Sequence, residues 1–506
     1  MKKNILDKLY EKIAPGKAVA RYMNKLKIEY FDTYQSKTRK FDGAAKGRRT
    51  EDWYAPGLSA NMEINAALKW LRQRSRDLVR NNPYAENNAY RIIPNNVIGT
   101  GIIPTPKLKG VTNKKINDKL KAAWGDWAEK IQCDFDERST FYGIQHLVMK
   151  AVAESGECIV RRVNTKSDKY IPLELQVLEA DYIDTTKMDF KYENKFVGKG
   201  DYYGIRFDDK GKRTGYWLYK SHPGEFGSES ELVPATDIIH IYEMDRPGQI
   251  RGLPFNSSSI IRLRDLHKFE DAELTRQQIA ACFTIFKVGN SDGDPNPNNT
   301  SPFEHVEPGG IYDLLPNEDI RFAQPPTTQS YEHFTKGHLR AIAAGSGVTY
   351  EAMTGDLSGV NFSSGRMGWL EFHRTVQTWQ SNIIIPHLCD GVYGWFVEAA
   401  GLRGIIPIGI NVPVSWTPPR REMIDPYKEV QAMRLQLRLG IISWQDVVRA
   451  FGYIPEELKA ELKEDKAMWD ELGLMPESDP RFDTNRPPEE VDPLLMEDEN
   501  KVLKNK

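Results

Sequence analysis

Asp237, His240 and Asp245 stand close together in the chain, and two carboxylates with an imidazole are a set that holds divalent metals in hydrolases. The local pattern argues against that use. Ile238–Tyr242 alternates like a strand, which turns successive side chains to opposite faces, and a histidine in such a run is more often packed than ligating. Gly99-Thr100-Gly101 lacks the third glycine and the following helix of a dinucleotide site, and neither a GxxxxGK[ST] loop nor a GxSxG elbow occurs. Cys133, Cys158, Cys282 and Cys389 are widely separated with no CxxC pair, so neither zinc, redox chemistry nor a disulfide framework is indicated. The expectation is a protein without catalytic residues, metal or cofactor.

A different feature carries the most information. Ala344–Arg366 reads AGSGVTYEAMTGDLSGVNFSSGR, a Gly/Ser/Asn-rich run between two helical segments. A polar loop of roughly twenty residues inside a compact domain is uncommon and points to a loop that touches something.

The elements around it read as mixed α/β. Asn61–Arg80 is helical, with Ile64, Leu68, Leu71, Leu78 and Val79 marking one face. Pro83 and Pro94 interrupt, and Val97–Pro104 reads as a short strand. Lys114–Ile131 forms a second helix with Trp124 and Trp127 on one face, and Ile144–Ser155 a third, ended by Gly156. Strands follow at Cys158–Val160, Leu173–Leu178, Gly204–Phe207, Tyr216–Tyr219 and Ile238–Tyr242, with Asp208–Gly211 a hairpin turn. Ser257, Ser258 or Ser259 can cap a helix running to about Phe283, whose opposite charges at i,i+3 suit exposed or inter-subunit surface. Gly289–Pro302 is a turn-rich insert, with short strands expected at Gly310–Leu315 and Ile320–Phe322 and a helix at Tyr331–Ala344.

After the loop, Trp369, Phe372, Val376, Trp379 and Ile383 repeat at helical spacing and read as core, not as a base-stacking platform. Ser363 or Ser364 can cap this helix, and Pro386 should kink it. Asp425-Pro426 opens a last helical region carrying Val430, Met433, Leu437 and Ile441.

At 506 residues the chain needs two to four structural units, and its net charge of −2 is not that of a tight duplex binder. The charge is polarised: residues 1–50 hold fourteen Lys/Arg against five acids, and 456–506 hold sixteen acids against eight bases. These ends are either solvated tails or a basic arm and an acidic tail that engage partners. The N-terminus has no apolar stretch of a signal peptide and no run approaches a membrane span, so a protein that is soluble and intracellular, or is assembled inside a cell, is expected.

An ordered set of segments resembles the portal proteins of tailed phages, lambda type. It runs through Ser75–Asn82, Ile93–Ile102, Trp124 and Trp127 with Cys133-Asp134, Gly156-Glu157, Glu179-Ala180-Asp181 and Asp245–Gly252. It continues with Asp271–Leu274, Glu307–Gly310, Thr354–Ser358, Asn361–Arg366 and Ile424-Asp425-Pro426. Two positions depart from the family pattern: Asn317 stands where Gly is usual, and Thr349 where Pro is usual, which should loosen the loop entrance.

The resemblance implies an α+β portal-type fold of wing, stem helices, small β-containing clip and helical crown, assembling as a ring of usually twelve subunits. A ring needs a head-to-tail interface. On this sequence it implies a basic arm at 1–49, wing at 50–257 and 366–424, stem helices at 258–284 and 330–347, clip at 285–329, tunnel loop at 348–365, crown at 425–475 and acidic tail at 476–506. DNA would enter and leave through the hole during packaging and ejection, lined by Asp356, Ser358, Asn361, Ser363, Ser364 and Arg366. Arg366 either meets phosphate or pairs with a carboxylate of a neighbouring subunit. Asp292, Asp294, Asn296 and Glu304 of the clip would face the large terminase and then the head–tail adaptor. Major capsid and scaffold proteins would be further partners, in a virion assembled in the host cytoplasm. The alternatives are a metal-dependent nuclease or another minor capsid protein.

Overall fold

The computed structural model describes residues 23–25, 51–52, 55–108, 111–163, 170–191, 198–225, 229–281, 285–289, 318–322, 331–420 and 422–474. Contacts divide the chain into two units, 1–59 and 60–506, and the elements below belong to the second. Helix α1 (Ala60–Asn81) buries Ile64, Leu68, Leu78 and Val79 on the face the spacing predicts. The Asn82 carboxamide accepts from the amides of Tyr84 and Ala85, both at 3.1 Å, and so starts α2 (Pro83–Asn87). A π-helical turn (Asn88–Ile92) and α3 (Ile93–Val97) continue it.

The strand expected over 97–104 is therefore displaced. Pro94 sits at the start of α3, just after the widened π turn, where a missing donor is tolerated. Extended structure begins only at β1 (Ile103–Pro106), after Gly99 and Gly101 have turned the chain at positive φ. Helix α4 (Val111–Ala128) brings Trp124 and Trp127 against Phe141, and α5 (Phe141–Ser155) ends at Gly156, φ +89°. A Cβ there would lie 2.3 Å from the Leu253 carbonyl carbon, so this position is closed to a side chain.

Strands β2 (Glu157–Val163), β3 (Glu174–Glu179), β4 (Gly200–Tyr202), β5 (Ile205–Phe207), β6 (Arg213–Tyr219), β7 (Ser230–Pro234) and β8 (Ile238–Tyr242) follow. They make two antiparallel sheets, β3-β2-β8 and β4-β5-β6-β7, with the expected hairpin at Asp208–Gly211. Strand β2 separates two cores. Cys158 and Val160 join the large helical core, and Ile159 joins a smaller one with Ile183, Ile205, Tyr216 and Ile238. That is why Cys158-Ile159-Val160 is apolar on both faces of the strand.

Helix α6 (Ile260–Ala281) leaves this body. The serines before it do not act as the expected caps. Ser258 Oγ donates to the Gly345 carbonyl at 3.2 Å and Ser259 Oγ to that of Ile342 at 3.4 Å, so they serve the end of α7 (Tyr331–Gly345). Between the helices β9 (Ile285–Gly289), which the sequence did not suggest, pairs antiparallel with β10 (Glu318–Phe322). The insert at 290–302, the strand expected at 310–315 and Asp292, Asp294, Asn296 and Glu304 lie outside the described residues.

The segment after α7 holds α8 (Tyr350–Thr354), and α9 (Phe362–Trp379) then packs Phe372, Val376 and Trp379 into the core, with Trp369 half-buried. Pro386 lies within a π-helical stretch, Gln380–Cys389, that runs into α10 (Asp390–Leu402). Strand β11 (Val414–Thr417) returns to pair with β1, and α11 (Pro426–Arg438), α12 (Trp444–Ala450) and α13 (Pro455–Leu472) complete the described chain.

At the centre of the first half lies a buried ionic cluster. The Glu157 carboxylate accepts from Arg72 Nη2 (2.5 Å), Arg251 Nε (2.9 and 3.0 Å), His240 Nε2 (2.8 Å) and the Gly252 amide (3.1 Å). Burial alone would raise this carboxyl; Arg251, His240 and Arg72 together outweigh it and hold it well below the usual range. Arg251 arrives on a turn organised by Gln249, whose Oε1 accepts from the amides of Asp245 and Arg246, both at 3.0 Å. Arg76 extends the cluster to Asp181 (2.6 Å) and Glu179 (2.9 Å). Complete burial pushes the His240 imidazole down to about 4, so it is neutral at pH 7. The unfolded chain protonates first, near pH 6.5, and stability should therefore fall as pH drops from about 6.5 to about 4, by on the order of 3 kcal/mol. Urea unfolding across that window checks it, and His240→Gln should flatten the slope by that amount.

Candidate functional site

The run from Gly345 to Arg366 is shorter as a loop than it reads in sequence. The Thr349 hydroxyl accepts from the Ala352 amide at 3.2 Å and caps α8, so the residue expected to loosen the loop entrance instead fixes it. Gly355, at φ +72°, ends that helix. Irregular chain is confined to two short pieces, Ser346 to Thr349 and Gly355 to Asn361. The next cap is Asn361, not Ser363 or Ser364: its Oδ1 accepts from the Ser364 amide at 2.8 Å, and its own amide donates to Ser364 Oγ at 3.1 Å.

Asp356 is held from four directions. Its Oδ1 accepts from the Ser358 hydroxyl (2.5 Å) and amide (3.0 Å), and its Oδ2 from the Tyr350 hydroxyl (2.9 Å), with Lys336 Nζ on α7 3.3 Å away. The Ser358 hydroxyl bond, with these others, keeps the carboxyl far below the usual carboxylate range. Of the six residues expected to meet DNA, Asp356, Ser358, Asn361 and Ser364 thus spend their polar groups on the loop itself. Ser363 is exposed. Arg366 is half-buried and near Asp425 of its own chain: the Lys428 side chain is the first cause that lowers the Asp425 carboxyl, and Arg366 adds to it.

The large side chains that the loop turns outward are apolar, beside the small exposed Ser358, Asn361, Ser363 and Ser364. Leu357 is 66% exposed, Phe362 57% and Met367 73%. Sequence reading passed over these three because Gly, Ser and Asn dominate the string. A cavity of about 390 Å³ beside Leu357 is lined by Thr349, Ala352, Leu357, Val360, Gly365 and Trp369 among others.

The metal-hydrolase set does not assemble. Asp237 accepts from Arg162 Nε at 2.6 Å, His240 is bound to Glu157, and Asp245 lies in the Gln249-ordered turn. Glu179, Asp181 and His222 are the three metal-type side chains that do converge among the described residues, and the Arg76 guanidinium already sits on both carboxylates.

The model of one family, phage portal protein, lambda family, matches residues 46–380, a span that includes the ionic cluster, the two long helices and the loop. The chain belongs to the lambda family of phage portal proteins. The probable portal protein of Halomonas phage phiHAP-1 is 27% identical over 86% of this chain and 88% of its own. Portal protein B of Escherichia phage lambda is 20% identical over 86% and 90%. Among solved structures, a chain in the virion of a native gene transfer agent particle aligns over 77% of this chain and 94% of its own, at 14% identity and a TM-score of 0.47. Membership makes this portal chain a structural component of the virion and sets aside the nuclease reading.

The Lys336–Asp356–Ser358 links tie the loop to α7. Asp356→Ala should raise amide exchange across residues 355–360 severalfold and leave the midpoint of global unfolding in place, because the loop contributes little to either core. Hydrogen-exchange mass spectrometry together with a thermal melt checks both halves.

Proposed function

We propose that copies of this chain close into a ring, of twelve subunits in the family's usual form, at one vertex of the capsid. Duplex DNA enters through the hole during packaging and leaves through it during ejection. In this reading α6 and α7 are the stem, 285–329 the clip that docks the large terminase and later the head–tail adaptor, and 348–365 the tunnel loop. Helices α11 to α13 form a crown, and major capsid and scaffold proteins surround the ring. Assembly in the host cytoplasm belongs to the same reading.

The family match over 46–380 carries this proposal. The exposure of α6 is consistent with it. After Leu266, the described residues of α6 keep no fully buried side chain, as expected of a helix whose neighbours are other subunits. The balanced charge suits a channel: DNA carries one charge per roughly 1.7 Å of axis, and a ring of lysines would hold it. A loop whose carboxylate and amide are already satisfied offers phosphates little to grip.

Negative-stain electron microscopy with native mass measurement tests the ring: annular particles with an open centre are expected, and a compact monomer under all assembly conditions would refute it. The loop placement has its own test. Ser363→Lys adds a cation at an exposed position without touching the Asp356 links, and should slow packaging in vitro in a salt-sensitive way. Asp356→Lys is a poorer choice, since it sets a lysine beside Lys336. Packaging by S363K at the unaltered rate would remove the loop from the channel wall.

A further inference from the structure

Helix α11 is thirteen residues long and buries none of them. Val430, Met433 and Leu437 fall on one line at 100° per residue, and the chain continues past them to Ile441, 68% exposed. Arg434 and Arg438 flank that line on one side and Glu429 flanks it on the other. Helix α13 carries a second such stripe, Leu458, Leu462 and Trp469, with Glu461 and Asp465 on one side and Lys459 and Lys466 on the other. Within one chain α11 packs on α12, and α12 on α13. Lys121 of α4 pairs with Glu457 near the start of α13 at 2.5 Å. Among the described residues, Arg434, Arg438, Glu461 and Asp465 have no ion-pair partner.

The two stripes match in a specific orientation. When two helices lie parallel and face to face, the edge to the right of one stripe meets the edge to the left of the other. Arg434 and Arg438 of α11 then face Glu461 and Asp465 of α13, while Glu429 faces Lys459 and Lys466. Antiparallel pairing would set the arginines against the lysines. The net charges agree: α11 holds three bases to one acid, and α13 seven acids to three bases.

We infer that α11 of one copy packs, parallel, on α13 of the next copy around the ring. The inference rests on the ring reading and adds the residues that close it. It is a head-to-tail contact between two different surfaces, the kind that generates a ring when the rotation closes. The apolar stripes supply the buried area, and the charged edges set direction and register.

The test uses full-length chains. The variant R434E/R438E makes α11 acidic, and E461K/D465K makes α13 basic. Each alone should lose annular particles in native mass measurement and keep the wild-type circular dichroism, because like charges meet at every interface. A 1:1 mixture of the two should recover rings of alternating subunits, and the chain carrying all four substitutions should form rings by itself.

Rings from either reversed variant alone would overturn the inference and leave the ring reading standing. Recovery by the fourfold chain without recovery by the mixture would also overturn it, since the pairing would then lie within one chain. Failure of both to recover would likewise reject it. A wild-type chain that never forms rings would bring down the ring reading first, and this pairing with it.

Discussion

The fold of the described chain turns on a carboxylate with no access to water. Glu157 carries a full charge into the interior, a transfer that costs several kcal/mol unless partners surround the ion. Here Arg72, Arg251, His240 and the Gly252 amide do so. They come from α1, from the turn after β8, and from β8 itself, so the charge is satisfied only when these three parts of the chain have met. Removing one partner from such a cluster strands the others in low dielectric, typically at about 3–5 kcal/mol. The cluster therefore acts as a condition on topology more than as a source of net stability. Gly156 reinforces it, because the strand carrying Glu157 can approach Leu253 and Pro254 only where no Cβ intervenes.

From that centre the constraint reaches the outer helices. The Ser75 hydroxyl lies 2.9 Å from Asn256 Oδ1, just ahead of the serines that meet the last carbonyls of α7. The start of α6 and the end of α7 are thus fixed to each other and to α1. Beyond them α7 offers Lys336 to Asp356, and the loop takes its direction from that pair. A helix end, a salt bridge and a cap form one path from the buried cluster to the exposed apolar tip.

Much of this was legible from residue patterns. The faces of α1 and α9, the paired tryptophans of α4, the Gly156 stop and strands β2, β3, β5, β6 and β8 follow from periodicity and turn chemistry, whereas β4 and β7 were not signalled. The misreadings share a cause: they lie where a distant partner decides. Ser258 and Ser259 look like caps for the helix they precede, and serve one that ends more than eighty positions later. Val97 to Pro104 looks extended throughout, but only its end finds a strand, β11. The cluster itself was visible as separate strings, Gly156-Glu157, Glu179–Asp181 and Asp245–Gly252, and nothing local tells that they converge. Thr349 is the converse case, since a missing proline reads as slack until the hydroxyl is seen capping α8.

The loop shows why composition misleads about surface chemistry. Its string is polar, yet its polar atoms are consumed by Asx-type turns and a capping box, interactions that short side chains make with their own backbone. The large groups left for the outside are Leu357, Phe362 and Met367. Such groups make no directional bond to a phosphate and lose little when a neighbouring atom slides past. A surface built this way is held in shape by its internal hydrogen bonds. Between Thr349 and Met367 the same few residues thus supply both the internal hydrogen bonding and the apolar side chains at the surface.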